Sequence, residues 1–256
     1  MNNLLLKINE SLNDPRSAAL CIVARNSGSV PGKVGAKMIV YGDGSIEGTV
    51  GGGGVEKRTI EEALKIIITK SPQLIEFNLQ QDFGMTCGGA VSIYIEPLAK
   101  PCRLYIFGAC HVGKILARYA TEMDFETWLI DWRKEMLEDK GLNRCQKICK
   151  PYLDAINEIA FDQESYIVIV TPNHEMDENV LAAVGKKDVA YIGLIGSKRK
   201  IEALTKKFLL ENILTREELD RVNMPIGIKF NAITPAEIAI SILAKLIDVK
   251  NSRSAV

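Results

Sequence analysis

A short segment in the second half of the chain carries residues whose spacing is typical of phosphate binding. It reads LYIFGACHVGKILA, an apolar run that ends at Gly108 and is followed by Gly113 and a helical pattern. Glycine at the first position allows a tight turn after a strand, and glycine at the second lets the next helix approach the sheet. The N-terminus of that helix offers free N–H groups to an anion. The segment therefore predicts the strand, turn and helix of a dinucleotide-binding unit.

Two further residues bear on what this loop binds. Asp131 ends the next apolar run, where an acidic side chain normally accepts hydrogen bonds from a ribose hydroxyl. Cys110 occupies the position of the middle glycine, whose missing Cβ normally lets the backbone approach a pyrophosphate. Ordinary NAD binding is less favoured for this reason. The cysteine is either a small, tolerated substitution or a thiol that faces the ligand, where the helix dipole favours the thiolate.

Two histidines and a basic run follow predicted strands, at the edge where doubly wound sheets bind ligands. His111 lies in the glycine loop, and His174 in TPNHEMD is the only other histidine. Each is a candidate ligand or acid–base group, or an ordinary surface residue. The segment GLIGSKRK supplies Ser197, Lys198 and Arg199, which either hold a phosphate or form a solvated helix end.

Glycine-rich segments dominate the first half of the chain. They read GSVPGKVGAKM, GTVGGGGVE and GMTCGG. Each glycine costs folding entropy, so the favoured interpretation is a backbone surface that approaches a ligand closely, and the alternative is a set of flexible hairpin loops. Cys87, on a predicted turn between glycines, is an exposed thiol suited to soft-ligand or sulfur chemistry. The candidate cofactor-binding residues of this half are Gly35, Gly51, Gly52, Gly53, Gly54, Cys87, Gly88 and Gly89.

The order of predicted strands and helices places these residues in two α/β domains. Residues 1–100 predict a small mixed α/β domain, and prolines in the segment PLAKP mark a hinge. From residue 101 to residue 256, strands alternate with helices, with a polar and helical stretch after the strand FETWLIDW, a helix ENVLAAVGK that begins at Glu178 and a helical tail from about Lys198. This order predicts a Rossmann-like, doubly wound parallel sheet followed by C-terminal helices. The segment TPAE predicts a capping box that starts a helix apolar nearly all round, which must be buried.

Bulk composition argues against several classes of protein. The chain has 32 Lys plus Arg and 32 Asp plus Glu, so no net charge attracts nucleic acid or an anionic membrane. No apolar run approaches the ~18 residues of a membrane span, and no signal peptide is evident. We therefore expect a soluble, cytoplasmic protein that binds neither nucleic acid nor membrane. Its six cysteines lack the paired spacing of a zinc site, and no disulfide is expected in a reducing compartment.

The motifs together resemble the XdhC/CoxI family, the accessory factors of xanthine dehydrogenase and related molybdenum hydroxylases. The resemblance runs from about Arg25 to Ile247 and includes the three glycine-rich segments, FGACHVG, LIDW, TPNHEMD, YIGLIGSKRK and MPIGIKFNAITPAEIAISI. It implies an N-terminal XdhC/CoxI domain joined to a C-terminal Rossmann domain. It also implies a homodimeric chaperone that binds the molybdenum cofactor (molybdopterin) as cargo, supports its sulfuration by a cysteine desulfurase and passes it to the apo-hydroxylase.

The family usually has glycine at the position of Cys110, so this chain departs from its pattern there. The departure puts standard nucleotide binding in doubt and makes Cys110 or Cys87 a candidate contact for molybdenum or sulfur, with the metal ligands left unassigned. The alternative function is an NAD(P)-dependent oxidoreductase that uses Asp131 for the ribose and His174 or His111 as acid–base. The chain has no clear catalytic Lys–His or Tyr–Lys pair, so no catalytic residue is assigned and NAD(P) is the less favoured cofactor. A pure scaffold between desulfurase and hydroxylase would bind no small ligand.

Overall fold

The computed structural model describes residues 2–14, 16–28, 30–83 and 89–254. The chain divides into two compact units, Met1–Lys100 and Pro101–Ala255, and each unit has its own sheet. Among the described helices, none combines the length and the apolar character needed to cross a bilayer.

The first unit is a five-stranded antiparallel sheet. Its elements are α1 (Asn2–Asn13), β1 (Ala18–Gly28), β2 (Lys37–Tyr41), β3 (Ile46–Gly48), α2 (Gly53–Thr69), β4 (Gln73–Asn78), α3 (Leu79–Phe83) and β5 (Gly89–Leu98). The strand order is β3-β2-β1-β5-β4, so β1 is central. This small mixed α/β unit has the architecture that the sequence predicts for the first half of the chain.

The core of the first unit lies between the sheet and α2. Side chains alternate between the two faces of a strand, so Cys21 and Val23 of β1 point to the same face as Ile93 of β5. Val55 and Ile66 of α2 are buried against that face. The opposite face carries a smaller cluster around Leu20 and Ile39, with Ile8 of α1 packed on it.

The second unit is a six-stranded sheet in which every pair of neighbouring strands is parallel. Its elements are β6 (Cys102–Phe107), α4 (His111–Ala120), β7 (Phe125–Ile130), α5 (Lys134–Leu137), a 3-10 helix (Lys140–Leu142), β8 (Gln146–Ile148), α6 (Tyr152–Glu158), β9 (Ser165–Ile169), α7 (His174–Val184), β10 (Tyr191–Leu194), α8 (Lys198–Leu210), α9 (Arg216–Asp220), β11 (Val222–Asn223) and α10 (Pro235–Ser254). The order β11-β10-β9-β6-β7-β8 reverses direction between β6 and β9, which is the ligand-binding switch point of a Rossmann sheet. The predicted α/β fold class is confirmed.

Helices cover both faces of this parallel sheet. Leu104 and Ile106 of β6 pack on the side of α4 and α10, whereas Tyr105 and Phe107 pack on the side of α6, α7 and α8. A strand buried on both faces reads as a continuous apolar run, which is why β6 was recognisable in the sequence.

Helix α10, predicted to be buried because it is apolar nearly all round, is buried on one side only, and Ile240 on it is 49% exposed. Ile242 and Leu246 lie in the same hydrophobic cluster as Leu116 of α4. The predicted capping box is present, since the Glu237 carboxylate accepts from the Thr234 amide at 3.0 Å and the Thr234 hydroxyl accepts from the Glu237 amide.

Three predicted details of the second unit are wrong. The stretch between β7 and β9, predicted as polar and helical, contains the short strand β8, whose Gln146 and Lys147 are exposed at the sheet edge and lack the apolar pattern of a strand. The C-terminal tail, predicted as helical, contains the two-residue strand β11. Helix α7 begins at His174, four residues earlier than predicted, because Asn173 caps it by accepting from the Met176 amide at 2.9 Å.

Candidate functional site

The glycine loop after β6 is shaped by two close backbone contacts. Gly108 has a φ of +119°, and a Cβ there would lie 2.3 Å from the Val170 carbonyl oxygen at the end of β9. A Cβ on Gly113 would lie 2.0 Å from the Gly108 carbonyl oxygen. Both glycines are therefore required for the loop to pass between β6, β9 and α4, which are the turning and approach roles that the sequence predicts for them.

Cys110 is the residue before the first turn of α4, and its thiol points into the protein. Its Sγ donates a hydrogen bond to the Val170 carbonyl at 3.3 Å, and the half-buried side chain packs on the cluster beneath α4. His111, the first residue of α4, is exposed. The structure therefore gives the Cys110 thiol a packing role between two strand ends, and its contact with molybdenum or sulfur stays a prediction.

Asp131, which follows β7, is fully buried, and its carboxylate is occupied by donors from its own chain. Oδ2 accepts from the Ala109 amide at 2.9 Å and from Arg133 Nη2 at 2.8 Å, and Oδ1 accepts from the Arg133 amide and Nε at 3.0 and 2.9 Å. The Tyr152 hydroxyl lies 3.4 Å from Oδ2. Burial alone would raise the pKa of Asp131, but the Arg133 guanidinium and the two amides outweigh it and hold the pKa below its usual value. A ribose hydroxyl would have to displace Arg133 to reach this carboxylate.

Arg133 is a functional candidate that the sequence patterns did not single out. Its guanidinium forms a two-bond fork with Asp131 and lies 4.9 Å from the centre of the Trp132 ring. The side chain is 28% exposed, and the neighbouring carboxylate raises its pKa further. The signal available in the sequence was an arginine two residues after the acid that ends the second strand, in IDWR.

A second buried ion pair joins the ends of β9 and β10. Asp177 is 2% exposed and accepts from the Thr171 amide at 3.0 Å, from its hydroxyl at 2.6 Å and from Lys200 Nζ at 2.6 Å. Lys200 also donates to the Ile195 carbonyl at 3.2 Å. This network fixes two loops at the carboxyl edge of the sheet, a role for Lys200 that its place in a basic run did not indicate.

The remaining predicted residues of the second unit lie at the same edge of the sheet and are exposed. His174 is the first residue of α7. Ser197 caps α8 by accepting from the Lys200 amide at 3.3 Å, and Lys198 and Arg199 form the first turn of that helix. The parallel sheet thus brings the glycine loop, His174 and the basic run to its carboxyl edge, as expected from their positions after strands.

The glycine-rich loops of the first unit use two glycines to pack against each other. A Cβ on Gly32, whose φ is +89°, would lie 2.2 Å from the Val50 carbonyl oxygen. A Cβ on Gly51, whose φ is +131°, would lie 2.5 Å from the Pro31 carbonyl carbon. Gly51 therefore has a packing role, because side chains at these positions would separate the two loops.

Other glycines of these loops remain open for close approach. Gly35, Gly52 and Gly53 all have positive φ, and a Cβ on any of them would meet nothing within 4 Å. Gly52 precedes α2, and Gly54 lies in its first turn. Glu56, also in the first turn of α2, already places a negative charge near these free N–H groups and disfavours an anion there.

Cys87 and Gly88 lie outside the described residues, and Gly89 begins β5 opposite Gly28. Among the described cysteines, burial raises the pKa of Cys21 to about 12 and that of Cys145 to about 11, so neither is a reactive thiolate. Within the described ranges, no group of three His, Cys, Asp or Glu side chains is arranged to hold a metal ion.

Comparison with known protein families gives one match in each half of the chain. Residues 104–246 match the model of the XdhC Rossmann domain, and residues 11–78 match the model of the XdhC and CoxI family. The chain belongs to the XdhC and CoxI family. The first match covers the glycine loop, Asp131 and the basic run, so the whole carboxyl edge of the parallel sheet lies within the XdhC Rossmann domain.

Two curated proteins and one solved structure are similar to this XdhC chain. YqeB of Escherichia coli is 31% identical over 240 residues, which cover 91% of this chain and 44% of YqeB. A Bacillus subtilis protein, named as a probable xanthine dehydrogenase subunit, is 24% identical over 160 residues, covering 62% of this chain and 46% of that protein. The chain thus spans less than half the length of either relative.

The solved structure is described as a xanthine dehydrogenase from Bacillus halodurans. It is 20% identical to this chain, covers 97% of it with 96% of its own length, and has a TM-score of 0.53. At this identity the likeness shows a shared fold.

Proposed function

We propose that the chain is an accessory factor that binds the molybdenum cofactor as cargo and delivers it to xanthine dehydrogenase or a related molybdenum hydroxylase. Membership of the XdhC and CoxI family supports this, because the two family matches fall in both units of the chain. The Bacillus subtilis relative, by its name, supports the choice of client. In the same proposal, the carrier is a homodimer, and a cysteine desulfurase supplies sulfur to the cargo while it is bound.

The observation that carries the proposal is the occupied carboxylate of Asp131. NAD needs an acceptor for its ribose hydroxyls at this position, and the Asp131 carboxylate already accepts hydrogen bonds from Ala109, Arg133 and Tyr152. A phosphate-bearing ligand without that requirement fits the edge better, because Arg133, Lys198 and Arg199 supply cations there. Molybdopterin, a pterin with a dithiolene and a phosphate, is such a ligand.

The same geometry weighs against an oxidoreductase. His111 and His174 are exposed at the starts of their helices, and neither has a carboxylate partner among the described residues that would orient it as an acid or base. A carrier needs no such machinery. It must release its cargo, and exposed cations with open main chain give the moderate affinity that delivery requires.

The proposal is tested by analysing what co-purifies with the chain from a host that makes molybdenum cofactor. We expect mass spectrometry to detect a molybdopterin or its oxidised pterin, and metal analysis to detect molybdenum. Co-purified NAD(P), with hydride transfer to a substrate, would contradict the proposal in favour of the oxidoreductase. A chain that carries no small ligand from this host would favour the scaffold.

The two thiol assignments are tested in the same preparation. Cys110→Gly removes a thiol that donates to the Val170 carbonyl, and Cys87→Ala removes the thiol of the segment GMTCGG. Cys149→Ala, at an exposed thiol that points to the Trp132 carbonyl at 3.6 Å, is the matched control. We expect Cys87→Ala to lower the molybdenum content more than the other two variants, and equal content in all three would remove the thiols from the proposed site.

A further inference from the structure

We propose that Arg133 makes the Rossmann unit selective for a phosphate monoester over a ribose. This inference rests on the proposed function and refines it, because it names the end of the cargo that this edge recognises. The ligand class is an organic phosphate monoester, which corresponds to the phosphate-terminated pterin rather than to its dinucleotide form.

The first step of the argument is that Asp131 has no capacity left for a ribose diol. The carboxylate is fully buried and accepts five hydrogen bonds, three at Oδ2 and two at Oδ1, from Ala109, Arg133 and Tyr152. A carboxylate offers about four acceptor positions. A ribose hydroxyl could bind only after one of these charge-assisted or main-chain bonds breaks, with a buried donor left unpaired.

The second step is that the Arg133 guanidinium is held in place and still has N–H groups that donate to no described residue. Its Nε and Nη2 each donate one hydrogen bond to Asp131, which leaves three of the five guanidinium N–H groups without a partner among the described residues. The Arg133 side chain as a whole is 28% exposed, so part of it is accessible from solvent. Because the fork to Asp131 and the Trp132 ring already fix the guanidinium, little further side-chain entropy is lost when an anion binds.

The third step is that Arg133 lies directly beside the glycine loop. Its Nη2 and the Ala109 amide donate to the same oxygen, Asp131 Oδ2, at 2.8 and 2.9 Å. A phosphate that occupies the space above this loop therefore meets a guanidinium that is already oriented. A neutral hydroxyl in the same place gains only ordinary hydrogen bonds, which are weaker than charge-assisted ones.

The test uses two stable, fluorescent probes that differ only in the phosphate: 6-hydroxymethylpterin monophosphate and 6-hydroxymethylpterin. Their dissociation constants for the full chain are measured by fluorescence anisotropy, with NAD⁺ titrated in parallel. We expect the phosphate probe to bind at least about tenfold more tightly than the hydroxyl probe, because bonds to charged groups contribute more than neutral ones.

The variants separate the role of Arg133 from general charge and from folding. Asp131→Asn combined with Arg133→Gln removes both charges of the pair together, so no unpaired buried charge remains, and we expect the preference for the phosphate probe to disappear. Lys134→Gln makes the same charge change at the next residue, whose side chain is 81% exposed, and should leave the preference within about twofold. If the double variant does not fold, Arg133→Lys keeps the charge but not the fork, and should lower the preference several-fold.

The outcomes distinguish this inference from the proposed function. Binding of both probes with equal affinity, an unchanged preference in the double variant or in Arg133→Lys, or tighter binding of NAD⁺ than of the phosphate probe would overturn the role of Arg133. If both pterins bind with equal affinity, or if a variant keeps the preference for the phosphate probe, the carrier function still stands. Failure of the wild-type chain to bind either pterin would overturn this inference, whereas the carrier function is decided by the molybdopterin and molybdenum that co-purify with the chain.

Discussion

At the scale of single residues, the carboxyl edge of the parallel sheet is organised by buried carboxylates. Asp131 ties the glycine loop to the segment after β7, and Asp177 ties the segment after β9 to the start of α8. Each carboxylate is paired with a cation of its own chain, so neither is left as an unpaired buried charge. The groups left over for a ligand are the outer N–H groups of Arg133 and exposed cations, which suits an anionic partner.

Glycines in the first unit also fall into packed and open positions. One glycine of each kind can be compared directly, because the two have nearly the same φ. Gly32 and Gly35 have φ values of +89° and +86°, but only a Cβ on Gly32 would collide with backbone. We predict that Gly35→Ala costs about 1–2 kcal/mol for the left-handed backbone alone. Gly32→Ala should cost about 1–3 kcal/mol more, because the two glycine-rich loops must separate.

Urea unfolding of the two variants measures this difference directly. Far-UV circular dichroism follows both units and tryptophan fluorescence follows the second unit alone, so a transition seen only by circular dichroism belongs to the first unit. The midpoints of that transition at equal slope give the change in free energy of unfolding. Equal losses in the two variants would show that the packed contact between the loops does not stabilise the unit.

At the scale of elements, the pair formed by Lys200 of α8 and Asp177 of α7 holds two helices at the edge of the sheet. A second pair, Lys207 and Glu178, links the same helices at 2.7 Å, but its side chains are 46% and 24% exposed. Lys200 and Asp177 are 12% and 2% exposed. The two pairs therefore allow a buried ion pair to be compared with an exposed one between the same two helices, α7 and α8.

We predict that Lys200→Met lowers the free energy of unfolding by about 3–5 kcal/mol, because it leaves the Asp177 charge buried and uncompensated. Lys207→Met should cost at most about 1 kcal/mol, since solvent screens the exposed pair. Adding Asp177→Asn to Lys200→Met should recover part of the loss. Thermal or urea unfolding would contradict this account if the two lysine variants lost equal stability.

The elements also show which parts of the structure a sequence can predict. Gly108 and Gly113 were assigned their roles correctly because a tight turn and a close helix approach are local steric demands. The hydrogen bonds of Asp131 could not be predicted in the same way. They depend on the Ala109 amide, which reaches the carboxylate only when β6 and β7 pair. Strand β8 was missed because it is a three-residue, polar edge strand defined by its pairing with β7.

The candidate site likewise has parts that the sequence predicts and parts that only the structure shows. The family motifs located the carboxyl edge of the parallel sheet, because loops after parallel strands converge there whatever their sequence. Cys110 could be interpreted equally as a ligand or as a tolerated substitution until the Val170 carbonyl appeared 3.3 Å from its thiol. Lys200, within a basic run, could not be separated from its exposed neighbours until Asp177 was found to face it, 23 residues away in sequence.

At the scale of the whole molecule, each hydrophobic cluster belongs to one of the two units. The clusters on the two faces of the parallel sheet consist of residues between Cys102 and Val249, and those of the antiparallel sheet lie between Ile8 and Leu98. A unit that has its own core has the main requirement for folding alone. Both tryptophans of the chain, Trp128 and Trp132, lie in the second unit, so their fluorescence reports on that unit only.

We predict that a fragment of residues 101–256 folds independently and unfolds in urea at the same midpoint, by tryptophan fluorescence, as the full chain. The physical reason is that the Asp131–Arg133 and Asp177–Lys200 pairs and both core clusters are made by residues of the fragment itself. The fragment should also keep the preference for the phosphate pterin, since every residue assigned to it lies after residue 101. A midpoint that falls in the fragment would show that residues 1–100 stabilise the Rossmann unit. A midpoint that is kept, with the phosphate preference lost, would place part of the phosphate contact in the glycine-rich unit.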